Sequence, residues 1–313
     1  MVAEVIVDIA HSDVDKIFDY ACGEEIQAGM RVVVPFGRST TTGFVMRIKE
    51  TSDFPAEKLK RVFRAEEDYP AINRECLMLS EKIAERYRCP KALVLRLFLP
   101  AELRTGKASE RYRSFVQIAQ GVTPVFSASA KAQAALFAYL EEEGETDAAI
   151  LRDRFGSAVN ALIKKGYVTV EKRRVMRDPY SDLKGENLNR VLTASQSEAV
   201  QKINRTEKTV TLLHGVTGSG KTEIYLTLIA EQLKQGKSAI FLVPEISLTP
   251  QMLLQLRARF GGSAAIMHSG LSAGERFDEW CRLREGTAKI AIGARSAIFA
   301  PVENIGAIII DEE

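Results

Sequence analysis

The sequence has no long apolar run and no signal-peptide pattern, and each absence excludes a class of protein. No run approaches the roughly 18 apolar residues of a membrane-spanning helix, which excludes an integral membrane protein. The first residues, MVAEVIVD, lack a basic start and carry acids where a signal peptide is apolar. We therefore expect a cytoplasmic protein with no membrane partner.

The sequence also has no CxxC pair, because its four cysteines lie far apart. They are Cys22, Cys76, Cys89 and Cys281. This spacing argues against a disulfide-stabilised scaffold and provides no zinc ribbon. We expect reduced thiols that pack as small apolar side chains, and no zinc site in this chain.

The composition is that of an ordinary globular protein without internal repeats or low-complexity tracts. A length of 313 residues favours two or three domains. Apolar residues at 46% and charged residues at 27% are typical of soluble folds. The net charge of +2 neither requires nor excludes nucleic acid, because only a local basic patch would matter.

The first part of the chain, residues 1–105, has the pattern of a small β-rich domain. Val5, Val7 and Ile9 follow the period of a strand, and residues 30–37 and 42–48 are two further extended runs. Short strands at this spacing, punctuated by glycine, predict a small barrel or sandwich. A helical pattern over residues 73–88 follows and ends before Pro90.

Residues 106–177 predict a winged-helix domain. Helical patterns over 129–143, 147–155 and 157–165 are followed by a strand that begins at Tyr167. Three helices and a β-wing resemble this variant of the helix-turn-helix module. A positive edge on the last helix and the wing fits either DNA contact or an ordinary solvated face. Its members are Lys164, Lys165, Lys172, Arg173 and Arg174.

The rest of the chain predicts a linker over residues 178–191 and an α/β domain over residues 192–313. The linker is polar and rich in turn-forming residues. The α/β domain has short apolar runs, typical of parallel strands buried on both faces, and helical patterns such as 224–234 between several of them. The runs span residues 210–213, 238–243, 264–267, 290–293 and 307–310. The chain stops directly after the last run, so we expect this domain to be incomplete.

Residues 215–222, GVTGSGKT, fit the phosphate-binding pattern GxxxxGK[ST] in full. Glycines let such a loop curl so that backbone N–H groups surround the phosphates. Lys221 supplies positive charge, and the Thr222 hydroxyl binds Mg²⁺. The loop lies between a predicted strand and a predicted helix, which is the expected context. We therefore predict a nucleotide site made by Gly215, Gly218, Ser219, Gly220, Lys221 and Thr222.

Two acids follow the last apolar run. The carboxyl ends of parallel strands meet at the sheet edge where the phosphate-binding loop also lies. Asp311 is therefore expected to hold Mg²⁺ through water. Glu312 is expected to orient and deprotonate the attacking water. Together with the loop, the pair predicts nucleotide hydrolysis, with Glu312 and Lys221 as the catalytic residues.

The order of motifs in this domain resembles the first RecA-like lobe of a superfamily 2 helicase. The motifs are LTASQ at 192–196, the phosphate-binding loop, LVPEISLTPQ at 242–251, HSG at 268–270, GARSAIFAP at 293–301 and DEE at 311–313. The amino-acid sequences of these motifs are similar to those of the primosomal replication-restart helicases. FDY at 18–20 and RVVVPFG at 31–37 resemble that family's pocket for the 3′ end of a nascent DNA strand.

The resemblance implies roles for single residues. Gln196 would recognise adenine, and Asp311 and Glu312 would be the metal-holding and catalytic acids. Residues that track single-stranded DNA would be Pro244, Glu245, Arg295 and Ser296, and residues of the 3′-end pocket would be Phe18, Asp19, Gly37 and Lys60. A carboxylate accepts from a 3′-hydroxyl, an aromatic ring stacks the last base, and glycine permits close backbone approach.

The residues alone leave other roles open. Phe18 fits a core aromatic residue, and Asp19 fits a turn residue. Arg295 also fits a cap on a sheet edge or the partner of a buried carboxylate. His268 is expected to be structural, and Trp280 is expected to pack on its helix.

The resemblance implies the amino-terminal portion of an ATP-dependent 3′→5′ DNA helicase of replication restart, which uses ATP and Mg²⁺. Implied partners are forked and single-stranded DNA with a 3′ end, primosome proteins and single-stranded DNA-binding protein. The second lobe, its arginine finger and the family's zinc-binding cysteines do not follow Glu313, so this chain alone is expected to hydrolyse ATP poorly and not to unwind DNA. A non-catalytic fork-DNA-binding remnant and another superfamily 2 DNA translocase are the alternatives.

Overall fold

The computed structural model describes residues 1–106, 110–180, 191–216, 218–244, 246 and 248–311, and it divides the chain into two compact units. The first unit contains Met1–Ala108 and Pro179–Glu313, and the second is Ser109–Asp178. Residues 181–190 of the predicted linker lie outside the described residues. No helix in the described part of the chain is long and apolar enough to cross a membrane.

The amino-terminal domain of the first unit is a small antiparallel barrel with helices after it. The sheet order is β2-β1-β4-β3-β5. Ala21 N donates to the Lys60 carbonyl at 2.9 Å, and Phe63 N donates to the Val33 carbonyl at 2.9 Å. The segment before β5 therefore joins β2 to β3 and closes the predicted barrel. The elements are β1 Val2–Val7, β2 Ile17–Ala21, β3 Arg31–Phe36, β4 Ser39–Lys49, β5 Arg64–Ala65, α1 Arg74–Tyr87, α2 Lys91–Leu95 and α3 Ala101–Arg104.

Side-chain alternation along β2 determines which of its residues face the barrel core. Phe18 and Tyr20 pack with the core around the buried Val5 and Val32. Successive side chains of a strand point to opposite faces. Asp19, which lies between the two aromatic residues, is therefore on the outer face of the barrel.

Helix α1 confirms the helical pattern predicted over residues 73–88. Asn73 Oδ1 accepts from the backbone N–H of Cys76 at 2.8 Å, which satisfies a free donor at the start of the helix. Arg88 ends the helix in the left-handed region with φ of 53°. Pro90 follows, and it cannot continue the helical hydrogen bonds.

The second unit contains the three predicted helices and a three-stranded sheet of order β7-β6-β8. The strand β6 was not predicted, because its half-exposed side chains give only a weak apolar alternation. The last strand, β8, pairs with β6 over its whole length, and no strand that follows it pairs with it within the described ranges. The elements are β6 Tyr112–Ile118, α4 Lys131–Glu143, β7 Thr146–Asp147, α5 Ala148–Phe155, α6 Ala158–Lys164 and β8 Val168–Arg174.

Acidic residues neutralise part of the predicted positive edge in this unit. Arg173 forms an ion pair with Glu145 at 2.6 Å and another with Glu171. Arg174 lies 3.4 Å from a carboxylate oxygen of Glu110. The strand β8 therefore presents less net positive charge than its sequence indicates.

The α/β domain of the first unit is built on a parallel sheet of order β10-β11-β9-β12. Four of the five apolar runs form the predicted strands, and the pattern over residues 224–234 belongs to a helix, as predicted. The core lies between the sheet and the helices that cover it. The elements are α7 Ala194–Arg205, α8 Lys221–Lys234, β9 Ser238–Leu242, α9 Pro250–Phe260, β10 Ala264–Met267, α10 Ala273–Arg284, β11 Ile290–Gly293 and β12 Ile305–Ile310.

The predicted strand at residues 210–213 is wrong. This segment lies outside the sheet, and Val210 and Leu212 are 85% and 89% exposed. An apolar run becomes a strand only where a neighbouring strand supplies hydrogen bonds and another layer buries its side chains. No strand pairs with this segment, since β12 pairs only with β9 among the described residues, and Leu213 alone of the run packs against the core.

Helix α10 joins the α/β domain to the amino-terminal domain. Trp280 is 2% exposed, and its Nε1–H donates to the carbonyl of Phe98 at 3.1 Å. The ring of Phe299 packs edge-on against Phe98 at a centroid distance of 5.4 Å. Arg276 forms a 3.0 Å ion pair with Glu102. Trp280 thus packs against the other domain as well as on its own helix.

We expect Trp280→Phe to lower the free energy of unfolding by about 1–3 kcal/mol, because the buried Phe98 carbonyl loses its donor. Urea unfolding followed by circular dichroism measures this loss. Phe299→Leu is the control, since it alters a ring contact with Phe98 but keeps the hydrogen bond, and we expect a smaller loss. An unchanged stability of Trp280→Phe would contradict the role of this bond at the junction.

Candidate nucleotide and DNA-binding sites

The phosphate-binding loop leads into α8, whose first residue is Lys221. Gly218 and Gly220 have φ of 80° and 81°, a left-handed conformation that glycine adopts without strain. Lys221 Nζ donates to the carbonyls of Gly215 at 2.7 Å and Val216 at 3.3 Å. The loop is therefore curled around the ammonium group that is expected to meet the phosphates.

Gln196 contacts the same loop from α7. Its Oε1 accepts from the backbone N–H of Thr193, which begins the helix in a capping box. Its Nε2 donates to the carbonyl of Ser219 at 3.2 Å. The structure thus places the glutamine that is expected to recognise adenine directly beside the phosphate-binding loop.

Asp311 and Thr222 lie on the two elements that meet next to this loop. The backbone N–H of Asp311 donates to the Leu242 carbonyl at 2.9 Å, which holds Asp311 at the carboxyl edge of the sheet. Thr222 is half-buried in the first turn of α8. Tyr225, about one turn later in α8, lies beside Asp311. Burial raises the pKa of Tyr225 to about 12, and the negative charge of Asp311 and its hydrogen bond to Tyr225 contribute to the rise. Glu312 lies outside the described residues.

These residues fit a nucleotide with its magnesium ion. A Cβ on Gly220 would lie 2.4 Å from Gln196 Nε2, so a side chain at that position would displace the glutamine amide. Hydroxyl and carboxylate oxygens, as in Thr222 and Asp311, are the ligands that Mg²⁺ prefers. Among the described residues, no group of three or more His, Cys, Asp and Glu side chains is placed to hold a metal ion.

The candidate single-strand contacts also follow parallel strands. Pro244 comes after β9, and Arg295 begins a 3₁₀ turn after β11. Because β9 and β11 are neighbours, both positions lie at the same sheet edge. Arg295 and Ser296 are exposed, and Glu245 lies outside the described residues. Their contact with DNA stays a prediction.

His268 forms hydrogen bonds with two neighbouring residues, and its structural role stays a prediction. Its Nδ1 accepts from the backbone N–H of Gly270 at 3.1 Å. A neutral ring then carries its proton on Nε2, which lies 2.8 Å from the hydroxyl of Tyr180. Tyr180 is buried in the core of the α/β domain.

In the barrel, Asp19 is part of a charged row on the outer face. Its Oδ2 lies 2.8 Å from Lys49 Nζ and accepts from Ser52 Oγ at 2.5 Å. Lys49 also reaches Glu4 at 3.2 Å, and Glu4 pairs with Arg47 at 3.0 Å. Burial opposes ionisation of Asp19, but the hydrogen bonds from Lys49 and Ser52 and the lysine charge outweigh it. The pKa of Asp19 is therefore below its usual value.

The other predicted pocket residues surround the same strand in different ways. The Phe18 ring packs edge-on against Phe36 at a centroid distance of 5.3 Å. Gly37 follows Phe36 in an exposed turn with φ of 59°. A Cβ at this position would meet nothing within 4 Å. Glycine is therefore favoured by the backbone angle and not by a lack of space. Lys60 is exposed, and its carbonyl binds Ala21. Their joint role at a DNA end stays a prediction.

Sequence reasoning missed Lys49 and Ser52. Lys49 ends a strand that was predicted only as far as residue 48, and Ser52 lies in the following loop. No motif marks them, because their link to Asp19 depends on the pairing of β1 with both β2 and β4. Phe54, 65% exposed and next to this cluster through its bond to Ser52, was missed for the same reason.

Comparison with known proteins identifies the domains in which the two candidate sites lie. Residues 4–100 match the 3′DNA-binding domain (3′BD) of PriA, and residues 193–313 match the DEAD/DEAH box helicase family. The replication restart protein PriA of Bacillus subtilis is 36% identical over 99% of this chain and 48% of its own length. PriA of Haemophilus influenzae is 35% identical over 95% of this chain and 42% of its own length.

The chain belongs to the PriA family. It spans about half the length of the curated relatives it matches. The match over residues 4–100 argues against a superfamily 2 translocase with an unrelated front end. The parallel sheet and the phosphate-binding loop agree with the helicase match over residues 193–313.

We expect Gly220→Ala to destabilise the protein more than Gly218→Ala does. Both residues have φ near 80°, which costs a residue with a Cβ about 1–2 kcal/mol. Only at Gly220 would the Cβ also displace Gln196 from Ser219, a hydrogen bond worth about 1 kcal/mol. Urea unfolding of the two variants measures the difference. Equal destabilisation would contradict the packing of Gln196 on the loop.

Proposed function

We propose that this chain is the DNA-end-binding and ATP-binding part of a replication-restart DNA helicase. The observation that carries this proposal is the curled phosphate-binding loop with Gln196 bound to its Ser219 carbonyl. It is supported by a barrel in the same unit that presents a positioned carboxylate, Asp19. The intact helicase recognises stalled forks, moves 3′→5′ along DNA and initiates primosome assembly with primosome and single-stranded DNA-binding proteins.

In the proposed nucleotide site, charged and polar side chains are positioned to bind the phosphates and the magnesium ion. ATP supplies the phosphoanhydride bond whose hydrolysis drives movement along DNA. Lys221 would supply positive charge to the phosphates, Gln196 would recognise adenine, and Thr222 and Asp311 would hold Mg²⁺. Glu312 orients and deprotonates the attacking water. Pro244, Glu245, Arg295 and Ser296 contact the single strand.

The DNA-end part reads a free 3′-hydroxyl. The Asp19 carboxylate accepts a hydrogen bond from the hydroxyl, and the other predicted pocket residues, Phe18, Gly37 and Lys60, contact the last nucleotide. The row of Asp19, Glu4, Lys49 and Arg47 carries two negative and two positive charges. A terminal phosphate therefore meets no net positive charge in this row, whereas a neutral hydroxyl donor meets an ionised acceptor.

The middle domain, which we interpret as a winged-helix module, supplies a second DNA contact. Arg111, Arg113 and Arg152 line an open cavity of about 430 Å³ in this unit. Arg113 is 3.3 Å from Asp147, and neither Arg111 nor Arg152 forms an ion pair with a described residue. Positive charge in this domain is thus more available at the cavity than along β8.

Fork binding without catalysis is the second candidate function. A contrast between the two sites favours it. Asp19 is already bonded to Lys49 and Ser52. Residues 210–213, which lead into the phosphate-binding loop, lie outside the sheet. ATP turnover measured with and without forked DNA separates the two. Turnover that DNA stimulates, even at the low rate expected of this chain alone, supports the helicase, and nucleotide binding without any turnover supports the fork-binding module.

We expect Lys221→Ala to abolish the binding of ATP–Mg²⁺ to the 313-residue chain, because the phosphates lose their charged partner. Isothermal titration calorimetry measures the affinity. Lys234→Ala is the control, since Lys234 lies at the opposite end of α8. If Lys221→Ala kept its affinity for ATP, the assignment of the nucleotide site would be contradicted.

We expect the chain to bind a fork with a 3′-hydroxyl more tightly than one with a 3′-phosphate, because Asp19 repels added negative charge. Asp19→Ala should remove the difference, which fluorescence anisotropy with labelled forks measures. The exposed Asp13 provides the control variant Asp13→Ala, which should keep it. Equal binding of both ends by the parent chain would exclude Asp19 as the reader of the 3′ end.

A further inference from the structure

The two oxygens of the Asp19 carboxylate have different surroundings. Oδ2 accepts from Ser52 Oγ at 2.5 Å and lies 2.8 Å from Lys49 Nζ. Within the part of the chain that the structure describes, no donor is bonded to Oδ1. A carboxylate has about four acceptor positions on its two oxygens, so Oδ1 retains its capacity to accept.

The Ser52 hydroxyl is oriented toward Asp19 by a second hydrogen bond. The backbone N–H of Phe54 donates to Ser52 Oγ at 3.1 Å. That bond occupies a lone pair of the oxygen, and an ionised carboxylate has no proton to give. The serine proton therefore points to Asp19 Oδ2, which makes Ser52 a donor of defined direction.

Lys49 holds the same oxygen while its charge is shared between two acids. Its Nζ lies 2.8 Å from Asp19 and 3.2 Å from Glu4. Arg47, on the same strand, pairs with Glu4 at 3.0 Å and reaches no oxygen of Asp19. The lysine therefore stabilises the ionised form of Asp19 without leaving a surplus positive charge for a phosphate.

The Asp19 side chain is 11% exposed, so its carboxylate is largely desolvated yet still reachable. A desolvated carboxylate gains more from a hydrogen bond than one in water, and it is costly to leave an ionised oxygen unpaired there. An oriented, ionised oxygen of this kind is a strong acceptor for one hydroxyl. It is a poor partner for a C–H bond or for a phosphate.

We infer that Lys49 and Ser52 are positioning residues, which hold Asp19 Oδ2 so that Oδ1 alone is presented to the 3′-hydroxyl of a DNA strand. This inference rests on the proposed reading of the 3′ end by Asp19. Lys49 and Ser52 do not touch the DNA end themselves. They determine the direction and the ionisation of the oxygen that does.

The experiment compares two forks that differ in one atom, a 3′-hydroxyl terminus and a 2′,3′-dideoxy terminus. Fluorescence anisotropy gives the affinity of the 313-residue chain for each, and the ratio of the two is the hydroxyl preference. A hydrogen bond to a charged group predicts a preference of about tenfold or more in the parent chain. The ratio does not depend on how much of a variant is folded.

We expect Ser52→Ala and Lys49→Met each to reduce the hydroxyl preference several-fold, because Asp19 loses a donor that orients it. Lys49→Arg keeps the charge and the donors, so it should retain most of the preference. Arg64→Met is the control, since it removes a positive charge from the same barrel without a bond to Asp19 or to its charged row. It should leave the preference unchanged.

Two results overturn the inference while the proposed function stands. One is that Ser52→Ala and Lys49→Met keep the full hydroxyl preference of the parent chain, although Asp19→Ala loses it. The other is an equal loss of affinity for both forks in these variants, which would show that Lys49 and Ser52 only stabilise the fold. A parent chain without any hydroxyl preference would instead overturn the reading of the 3′ end itself, and this inference with it.

Discussion

The hydrogen bond from Trp280 to the Phe98 carbonyl is the interaction on which the arrangement of the first unit depends. It joins a helix of the α/β domain to the helices that follow the barrel, at a buried position where an unpaired carbonyl would be costly. The Arg276–Glu102 pair and the Phe98–Phe299 contact surround it. The barrel that carries Asp19 and the domain that carries the phosphate-binding loop therefore belong to one compact unit.

The two candidate sites share one feature. In each, neighbouring residues hold a charged side chain in place in the absence of a ligand. In the phosphate-binding loop, backbone carbonyls hold Lys221, and Gln196 supports the loop through Ser219. In the barrel, Lys49 and Ser52 hold Asp19. Groups that are already oriented lose little freedom on binding, which favours affinity and selectivity.

The sequence predicted much of this architecture, and its errors have physical causes. Four of five strands of the α/β domain and the helices around Asn73 and Lys221 were correct, because capping residues and apolar runs act locally. The strand at Val210 was wrong, since strand formation also needs a partner at the sheet edge. Lys49 and Ser52 were missed because they meet Asp19 only through the register of three strands.

The sequence by itself determined the chemistry that is available: the GVTGSGKT loop, Gln196, Asp311 and an aspartate between two aromatic residues. These are local patterns, in which residue type and spacing suffice. Only the tertiary structure decided which oxygen of Asp19 is held, that Phe18 faces the core, and that Trp280 binds the other domain. Those outcomes depend on contacts between residues far apart in the chain, and such contacts exist only after strands pair and domains pack.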